Sequence, residues 1–322
     1  MSKPLALPSF VKRAARKIRD TPALGQLITT VLRPGINRFR GDRRSALIAH
    51  FPRVGAVSAS LPDGGSLRMA CGEPESIINS IFYDGWMGEE PEVLPLWYEL
   101  AKHADVIVDV GAHIGHFSLV AGHANPRARI FSFEALPRIA ELLRKNVALN
   151  RLANIDVRGR ALGRQIGRLP FYAMPEGLPS SSSLSKEFMA PSTSGAIEIV
   201  VDVSTLNAEE LPAGTPTLMK IDTETTEPDV IAGGASFLRE TTPVIFVEIL
   251  ENVGVAARLS DEFAAAGYAF DAYLLTDKGP VAKGQLIGDP RWRNYLLVPK
   301  DRSKLAGMVD VLSQFGVTSV GY

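Results

Sequence analysis

Short apolar runs alternate along the chain with longer segments in which apolar residues recur every three or four positions. This alternation is typical of parallel strands joined by helices. The five runs that predict strands of the central sheet are residues 106–110, 129–134, 155–158, 217–222 and 243–249. Because Val106–Val110 has almost no polar interruption, we expect it to be a central parallel strand that is buried on both faces.

Further strands are predicted outside these five runs. Residues 268–275 and 294–298 have the pattern of two closing strands of the same sheet. Residues 169–173 and 196–203 are also predicted strands, and the Ser- and Pro-rich segment 179–184 lies between them. This segment either helps to bind a substrate near the edge of the sheet or is a surface loop.

A glycine loop follows the first strand. Asp109 lies near the end of that strand, and Gly111 and Gly115 bracket the turn into the next helix. A dinucleotide fold requires G-x-G-x-x-G, whose middle glycine admits a pyrophosphate, but residue 113 is His. The pattern D-x-G-x-x-x-G instead resembles the first motif of class I S-adenosylmethionine (SAM)-dependent methyltransferases. We therefore expect Asp109, Gly111, Ala112, His113 and Gly115 to bind this cofactor.

A second acidic residue supports the same cofactor. Glu134 ends the second strand, where a carboxylate can accept hydrogen bonds from both ribose hydroxyls; helix capping is the alternative role. Its neighbour Ala135 and, after the third strand, Ala161 are predicted to line the adenosine site.

Acidic residues gather where the fourth and fifth strands end. The carboxyl ends of parallel strands meet at one edge of a sheet, where ligands of open α/β folds bind. Asp222 is the first candidate for a general base there, followed by Glu224, Glu248 and His113. Lys220 points to the same face of its strand as Asp222, and it either orients that carboxylate or caps the sheet.

Other acidic residues have less defined roles. Glu227 and Asp229 are expected to form a solvated helix start, which the helix dipole favours. Glu90, just ahead of Pro91, or its neighbour Glu89 is a candidate for contact with the ammonium of the cofactor. The helical pattern at residues 93–100 predicts a lid over the cofactor pocket. The alternative is that the aromatic residues before it, Phe82, Tyr83 and Trp86, belong to the core and that the acids cap a helix.

Together these motifs resemble the FkbM family of methyltransferases over roughly residues 80 to 250. The blocks that carry the resemblance are D-V-G-A-H-I-G-H-F-S-L, F-E-A-L-P, N-x-x-L-N, K-I-D-T-E-T-T-E-P-D-V-I-A-G-G and P-V-I-F-V-E-I. The family often has Asn where His113 stands, and Glu-Gly-Ala where this chain has Glu224-Thr225-Thr226.

The resemblance implies a fold and an activity. The fold is the α/β class I methyltransferase fold, a Rossmann-like seven-stranded sheet that is mostly parallel, with the last strand antiparallel and helices on both faces. The activity is SAM-dependent O-methylation of a small-molecule or glycan acceptor, through hydroxyls of sugars, polyketides or similar secondary metabolites.

Two alternative functions are a nitrogen methyltransferase of protein or nucleic acid and a SAM-binding protein without catalysis. Nitrogen methyltransferases of nucleic acid commonly carry Asn/Asp-Pro-Pro-aromatic after the fourth strand, whereas this chain has Asp222-Thr223-Glu224-Thr225. A non-catalytic binder would be expected to lose these acids. Asp222, Glu224 and Glu248 could ligate a hard cation, but nothing in the sequence requires a metal.

The 322 residues suffice for one large α/β core and a smaller appendage. We expect a basic N-terminal appendage at residues 1–75, a methyltransferase domain at 76–300 and a C-terminal tail at 301–322. The single cysteine, Cys71, fits a reducing compartment. Neither a membrane span nor a secretory signal is apparent, so we expect a cytoplasmic protein.

The net charge of zero hides an asymmetry. Residues 1–53 contain twelve Lys or Arg and two Asp, a net charge of +10 that leaves −10 on the remainder. Apolar residues at positions 10, 11, 14, 15 and 18 share one helical face, with basic residues elsewhere. This pattern predicts either a helix packed against an acidic domain or peripheral contact with an anionic membrane. Nucleic acid is not expected as a partner, because the basic residues lack interleaved aromatic residues.

Overall fold

A computed structural model of the chain describes residues 22–39, 41–173, 197–251 and 254–318. The amphipathic pattern at residues 10–18 and the Ser-rich segment 179–184 lie outside these residues. Contacts divide the chain into two compact units, Met1–Glu89 and Glu90–Tyr322.

The first unit, as far as it is described, combines helices with a two-stranded antiparallel hairpin. Its elements are α1 (Pro22–Ile36), α2 (Gly41–His50), β1 (Gly55–Ser60), β2 (Ser66–Cys71) and α3 (Ser76–Asp84). The turn between β1 and β2 contains Asp63-Gly64-Gly65, and Gly64 has a φ of +84°. Such a turn between two short alternating runs is typical of a hairpin, and these two strands add to those predicted from the sequence.

Helix α3 belongs to this first unit rather than to the domain predicted to begin at residue 76. The backbone N–H of Arg53 donates to Oδ1 of Asn79 at 2.6 Å. The hydroxyl of Tyr83 donates to the carbonyl of Phe51 at 2.8 Å, and Asn37 Nδ2 donates to the carbonyl of Tyr83 at 2.9 Å. These hydrogen bonds tie α3 to the segments before the hairpin, so the boundary between the units lies at Glu89 and Glu90.

The second unit is built on an eight-stranded sheet. Its strands are β3 (Val106–Val110), β4 (Arg129–Phe133), β5 (Ile155–Arg158), β9 (Thr217–Ile221), β10 (Val244–Glu248), β11 (Phe270–Thr276), β12 (Gly279–Lys283) and β13 (Asn294–Pro299). They are ordered β12-β11-β13-β10-β9-β3-β4-β5. The five strands from β10 to β5 run parallel, whereas β13 is antiparallel to both β10 and β11.

This arrangement confirms the predicted α/β class, with the five apolar runs as parallel neighbours and the last strand antiparallel. The strand count differs from the expected seven because β12 forms a hairpin with β11 and adds an edge strand. Its short turn uses Gly279, which has a φ of +98°. The sequence pattern predicts only the two strands on either side of β12.

Helices connect the strands of this unit and cover the sheet. They are α4 (Leu94–Ala101), α5 (His116–Ala124), α6 (Pro137–Asn150), α7 (Glu227–Ala232), α8 (Ala235–Thr241), α9 (Val255–Ala266) and α10 (Met308–Gln314). Met308 and Leu312 of α10 are fully buried, so the segment after residue 300 contributes to the core and is not merely a tail.

Helix α4 is a core helix and not a lid. Its Trp97 is fully buried, and the indole Nε1 donates to the carbonyl of Phe117 at 3.1 Å. The indole ring also meets the rings of Phe117 and Phe246 edge-on, with centroids 5.6 and 5.5 Å apart. The predicted lid at residues 93–100 is therefore wrong, because the large aromatic side chain of this helix is buried in the core.

A separate three-stranded sheet lies between β5 and β9 in the sequence. Its strands are β6 (Ala161–Leu162), β7 (Gly167–Ala173) and β8 (Ile197–Ser204), in the order β6-β8-β7. Strand β8 is parallel to β6 and antiparallel to β7, which confirms both strands predicted in this region.

Candidate active site

The carboxyl ends of β3 and β9 approach so closely that only glycine fits between them. Gly111 has a φ of +82°, and a Cβ at this position would overlap the backbone oxygen of Asp222 and lie 2.9 Å from its carbonyl carbon. The backbone N–H of Asp222 donates to the carbonyl of Val110 at 3.0 Å. Gly111 is therefore needed both for its conformation and for its lack of a side chain. The contact brings the glycine loop beside the acids that follow β9.

Glu134 holds the glycine loop in place. Its carboxylate accepts the backbone N–H of His113 at 3.0 Å through Oε2 and that of Leu136 at 2.8 Å through Oε1. His113 has a φ of +49°, a conformation that this hydrogen bond supports. Burial raises the pKa of Glu134 to about 7. Each carboxylate oxygen has a second lone pair, so the group can still accept a hydroxyl.

Asp109 is buried and makes its contacts within the protein. Its Oδ2 accepts the hydroxyl of Ser118 at 2.5 Å, and that hydroxyl lies 2.7 Å from the hydroxyl of Ser132. Burial raises the pKa of Asp109. These contacts hold the first turn of α5 against β3 and β4, which is a positioning role. Direct contact between Asp109 and a cofactor stays a prediction.

The loop residues fit a nucleoside cofactor with an amino-acid tail. Nε2 of His113 is buried and has no hydrogen-bond partner among the described residues. Burial lowers the pKa of His113 to about 4, so its imidazole is neutral near pH 7 and can exchange a hydrogen bond with a ligand. The neighbouring Glu134 provides the acceptor that ribose hydroxyls require. Such a low pKa makes His113 a weak general base.

Three carboxylates converge where β9 and β10 end. One oxygen from each of Asp222, Glu224 and Glu248 lies within 4.8 Å of the others. The parallel pairing of β9 with β10 brings Asp222 and Glu248 to the same edge, and the loop after β9 adds Glu224. The three oxygens are close enough to bind one common partner, either a substrate hydroxyl or a divalent cation.

Lys220 anchors Asp222. Its ammonium lies 2.6 Å from Oδ2 of Asp222 and 3.9 Å from Oε1 of Glu90, and it packs 4.4 Å from the ring centroid of Phe117. Burial opposes the charge of Lys220, but the carboxylate of Asp222 raises its pKa above the ordinary value. Burial would likewise raise the pKa of Asp222, but Lys220 lowers it. Both groups are therefore charged at neutral pH, and the geometry matches the orienting role predicted for Lys220.

Glu224 and Glu248 hold protons more strongly than ordinary carboxyls. Burial, followed by the charges of Asp222 and Glu227, raises the pKa of Glu224 to about 8. Burial and the charge of Asp222 also raise the pKa of Glu248. Glu248 is hydrogen-bonded to Asp222, so a protonated Glu248 donates to the ionised partner. The three acids therefore divide into one ionised group and two that retain protons near neutral pH.

The remaining predicted site residues are distributed around this edge. Ala112 donates its backbone N–H to the carbonyl of Phe133 at 3.0 Å, and Ala135 donates its backbone N–H to the carboxylate of Glu134. Gly115 has a φ of +98° and precedes the first residue of α5. Glu90 lies with Lys220 beside the acids. Ala161 pairs with Val203 in the three-stranded sheet, and its contact with adenine stays a prediction.

Comparison with known proteins identifies the family. Residues 109–270 match the methyltransferase FkbM domain. This chain belongs to the FkbM methyltransferase family. The assignment confirms the predicted methyltransferase activity and agrees with SAM as the cofactor of such enzymes.

The individual relatives share less than a third of their aligned residues with this chain. Methyltransferase sdnD of Sordaria araneosa is 29% identical over 180 residues, which cover 48% of this chain and 69% of sdnD. A methyltransferase FkbM from Methylobacillus flagellatus aligns with 14% identity and a TM-score of 0.40, over 69% of this chain and 53% of the other. An O-methyltransferase from Bacillus cereus, solved with SAH, aligns with 16% identity and a TM-score of 0.37, over 65% of this chain and 80% of the other.

The turn that carries Glu224 places two residues that are not glycine in a backbone conformation that glycine favours. Glu224 and Thr225 have φ values of +55° and +84°, in the left-handed region. Oε1 of Glu227 accepts the backbone N–H groups of Thr223 and Thr225 at 2.9 and 3.2 Å, and the Thr223 hydroxyl at 3.1 Å. These hydrogen bonds hold the turn in a conformation that threonine disfavours.

The prediction that Glu227 forms a solvated helix start is therefore wrong. The side chain is buried, with 2% of the residue exposed, because it folds back under the turn that precedes its helix. Asp229 is more exposed and forms an ion pair with Arg164 at 3.0 Å, as expected for a solvated helix start. The sequence held one signal for this difference: Thr225 stands where the resemblance to the family leads us to expect a glycine, so the turn requires support from another residue.

Proposed function

We propose that this FkbM-family protein transfers the methyl group of SAM to a hydroxyl oxygen of a sugar, a glycan or another secondary metabolite. The observation that carries the proposal is the contact between Gly111 and Asp222, which joins the predicted cofactor loop to the cluster of carboxylates. Bound SAM supplies an electrophilic methyl group on its sulfonium. An alcohol is a weak nucleophile, so a group that accepts its proton is needed close by.

The protein contributes first by positioning. Methyl transfer is an in-line displacement, and holding both reactants in alignment can remove roughly 7–11 kcal/mol of the barrier. Glu134 and the glycine loop would hold the nucleoside, while Asp222 would accept a hydrogen bond from the acceptor hydroxyl. The ion pair with Lys220 fixes the direction in which Asp222 points.

Glu224 is our choice for the general base in place of Asp222. The low pKa of Asp222 makes it a good hydrogen-bond acceptor but a poor proton acceptor. The pKa of Glu224, about 8, lies close to working pH, where general bases are most effective and contribute about 10²–10⁴-fold. The proton of the alcohol would pass to Glu224 as the carbon–oxygen bond forms, and the sulfonium would leave as a neutral thioether.

This assignment predicts how the rate depends on pH. Only the ionised form of Glu224 can accept a proton, so kcat/KM should rise as the pH increases and level off above about 8, where that form dominates. The Glu224→Gln variant should lose most of its activity and the rise with pH, which a pH-rate profile of both proteins measures. A rise of the same shape in the variant would exclude Glu224 as the base.

The central experiment combines SAH calorimetry with transfer of a labelled methyl group from SAM to a panel of sugars and polyketide alcohols. The Asp222→Asn variant should lose turnover but bind SAH within a few-fold of wild type. Asp229→Asn, a change at a more exposed acid of α7, is the control and should retain turnover. Wild-type turnover by Asp222→Asn would remove Asp222 from the mechanism. A product methylated on nitrogen, or uptake of NAD without uptake of SAH, would refute the proposed function.

A further inference from the structure

Helix α1 exposes large apolar side chains on one side. Leu27 and Val31 are 62% and 70% exposed, and Phe39, just beyond the helix, is 43% exposed. Leu27 and Val31 are four residues apart and therefore neighbours on one helix face. Thr29 and Ile36, which are buried, lie on the opposite face. The helix thus packs on the first unit through one side and leaves an apolar side without cover from the described residues.

The charge of the N-terminal part of the sequence favours one kind of partner for this apolar face. Residues 1–53, which include α1, carry a net charge of +10, and the remainder of the chain carries −10. A helix side that only faces water gives no reason for exposed Leu and Val side chains. An acidic protein surface would attract the basic residues but would not bury the apolar side chains. An anionic lipid surface satisfies both, because its acyl boundary accepts apolar groups and its headgroups attract Lys and Arg.

We propose that Leu27 and Val31 dock the protein onto an anionic lipid surface. The contact would be peripheral: in the part of the chain that is described, no helix is both long and apolar enough to cross a bilayer. Helix α1 would lie along the interface with its apolar side toward the acyl chains, and the Lys and Arg residues elsewhere in residues 1–53 would attract the protein to the phosphates. This proposal does not depend on which acceptor is methylated.

The test is cosedimentation of the full chain with vesicles of phosphatidylcholine, alone or with about 30% phosphatidylglycerol. Wild-type protein should bind the anionic vesicles much better than the neutral ones, and added salt should weaken binding. Val31→Glu should reduce binding about tenfold or more, because it replaces an inserted apolar group with a repelled charge. Ile166→Glu is the matched control: Ile166 is also β-branched and is 69% exposed, but it lies in the second unit, and binding should not change.

Circular dichroism and thermal unfolding check that both variants fold, and light scattering reports the oligomeric state. Equal binding of wild type to neutral and anionic vesicles, or no binding to either at low salt, would overturn the proposal. So would an equal loss of binding in both variants. A wild-type dimer that Val31→Glu dissociates, without binding to vesicles, would assign the face to a second copy of the chain instead.

Discussion

The close approach of Gly111 to Asp222 predicts a large effect for a single added methyl group. The Gly111→Ala variant would place a Cβ against backbone atoms that cannot rotate away, in a residue whose φ is +82°. Either the loop or the end of β9 must then move. Because the acids of the proposed site follow β9 directly, we expect loss of both stability and methyl transfer.

The expected loss of stability in Gly111→Ala has two separate causes. A left-handed conformation costs alanine about 1–2 kcal/mol relative to glycine. Overlap with rigid neighbours adds about 1–3 kcal/mol. Gly214 provides the control, because its φ of +78° is similar but no atom lies within 4 Å of the position that a Cβ would occupy. Gly214→Ala should therefore show only the conformational cost, and the difference between the variants isolates the steric one.

Urea unfolding followed by circular dichroism measures both variants, and SAH calorimetry with methyl-transfer assays measures the site. We expect Gly111→Ala to be less stable than Gly214→Ala by about 1–3 kcal/mol. Only Gly111→Ala should lose turnover. Equal destabilisation by the two substitutions would refute the steric reasoning. Full turnover in Gly111→Ala would show that the loop and Asp222 can separate without harm to catalysis.

Two further predictions concern the turn that Glu227 supports. Burial raises the pKa of Glu227 from 4.5 to about 7, so its contribution to stability is complete below pH 4.5 and is lost as the pH rises through about 7. Urea titrations should find that Glu227→Gln and wild type have similar free energies of unfolding at about pH 5. At about pH 8 the variant should be more stable than wild type by up to about 3 kcal/mol. The same difference in stability at both pH values would contradict this prediction. Thr225→Gly relieves a φ of +84°, whereas Thr226 has an ordinary φ of −105°, so thermal unfolding should find Thr225→Gly more stable than Thr226→Gly by about 1–2 kcal/mol. Equal stability of the two glycine variants would show that the turn is not strained.

The roles of α4 and Glu227 show where local sequence reasoning reaches its limit. Spacing correctly predicted a helix around Trp97, but the prediction that this helix covers the cofactor pocket was wrong. The contacts of Trp97 with Phe117 and Phe246 decide this, and Phe246 lies far away in the sequence. Glu227 has the position of a helix-starting acid, yet the path of the turn before it buries the carboxylate.

The sequence by itself determined the parallel strands, the glycine loop and the family of this protein. Apolar runs, turn glycines and strand-end acids are local properties, and parallel pairing then brings Asp222 and Glu248 to one edge. Only the tertiary structure decided the protonation of these acids, because a pKa depends on burial and on charges brought near by folding. Lys220 keeps Asp222 ionised, while burial leaves protons on Glu248 and Glu224. Packing therefore decides which of these acids are ionised and which keep their protons, and no local sequence pattern specifies that packing.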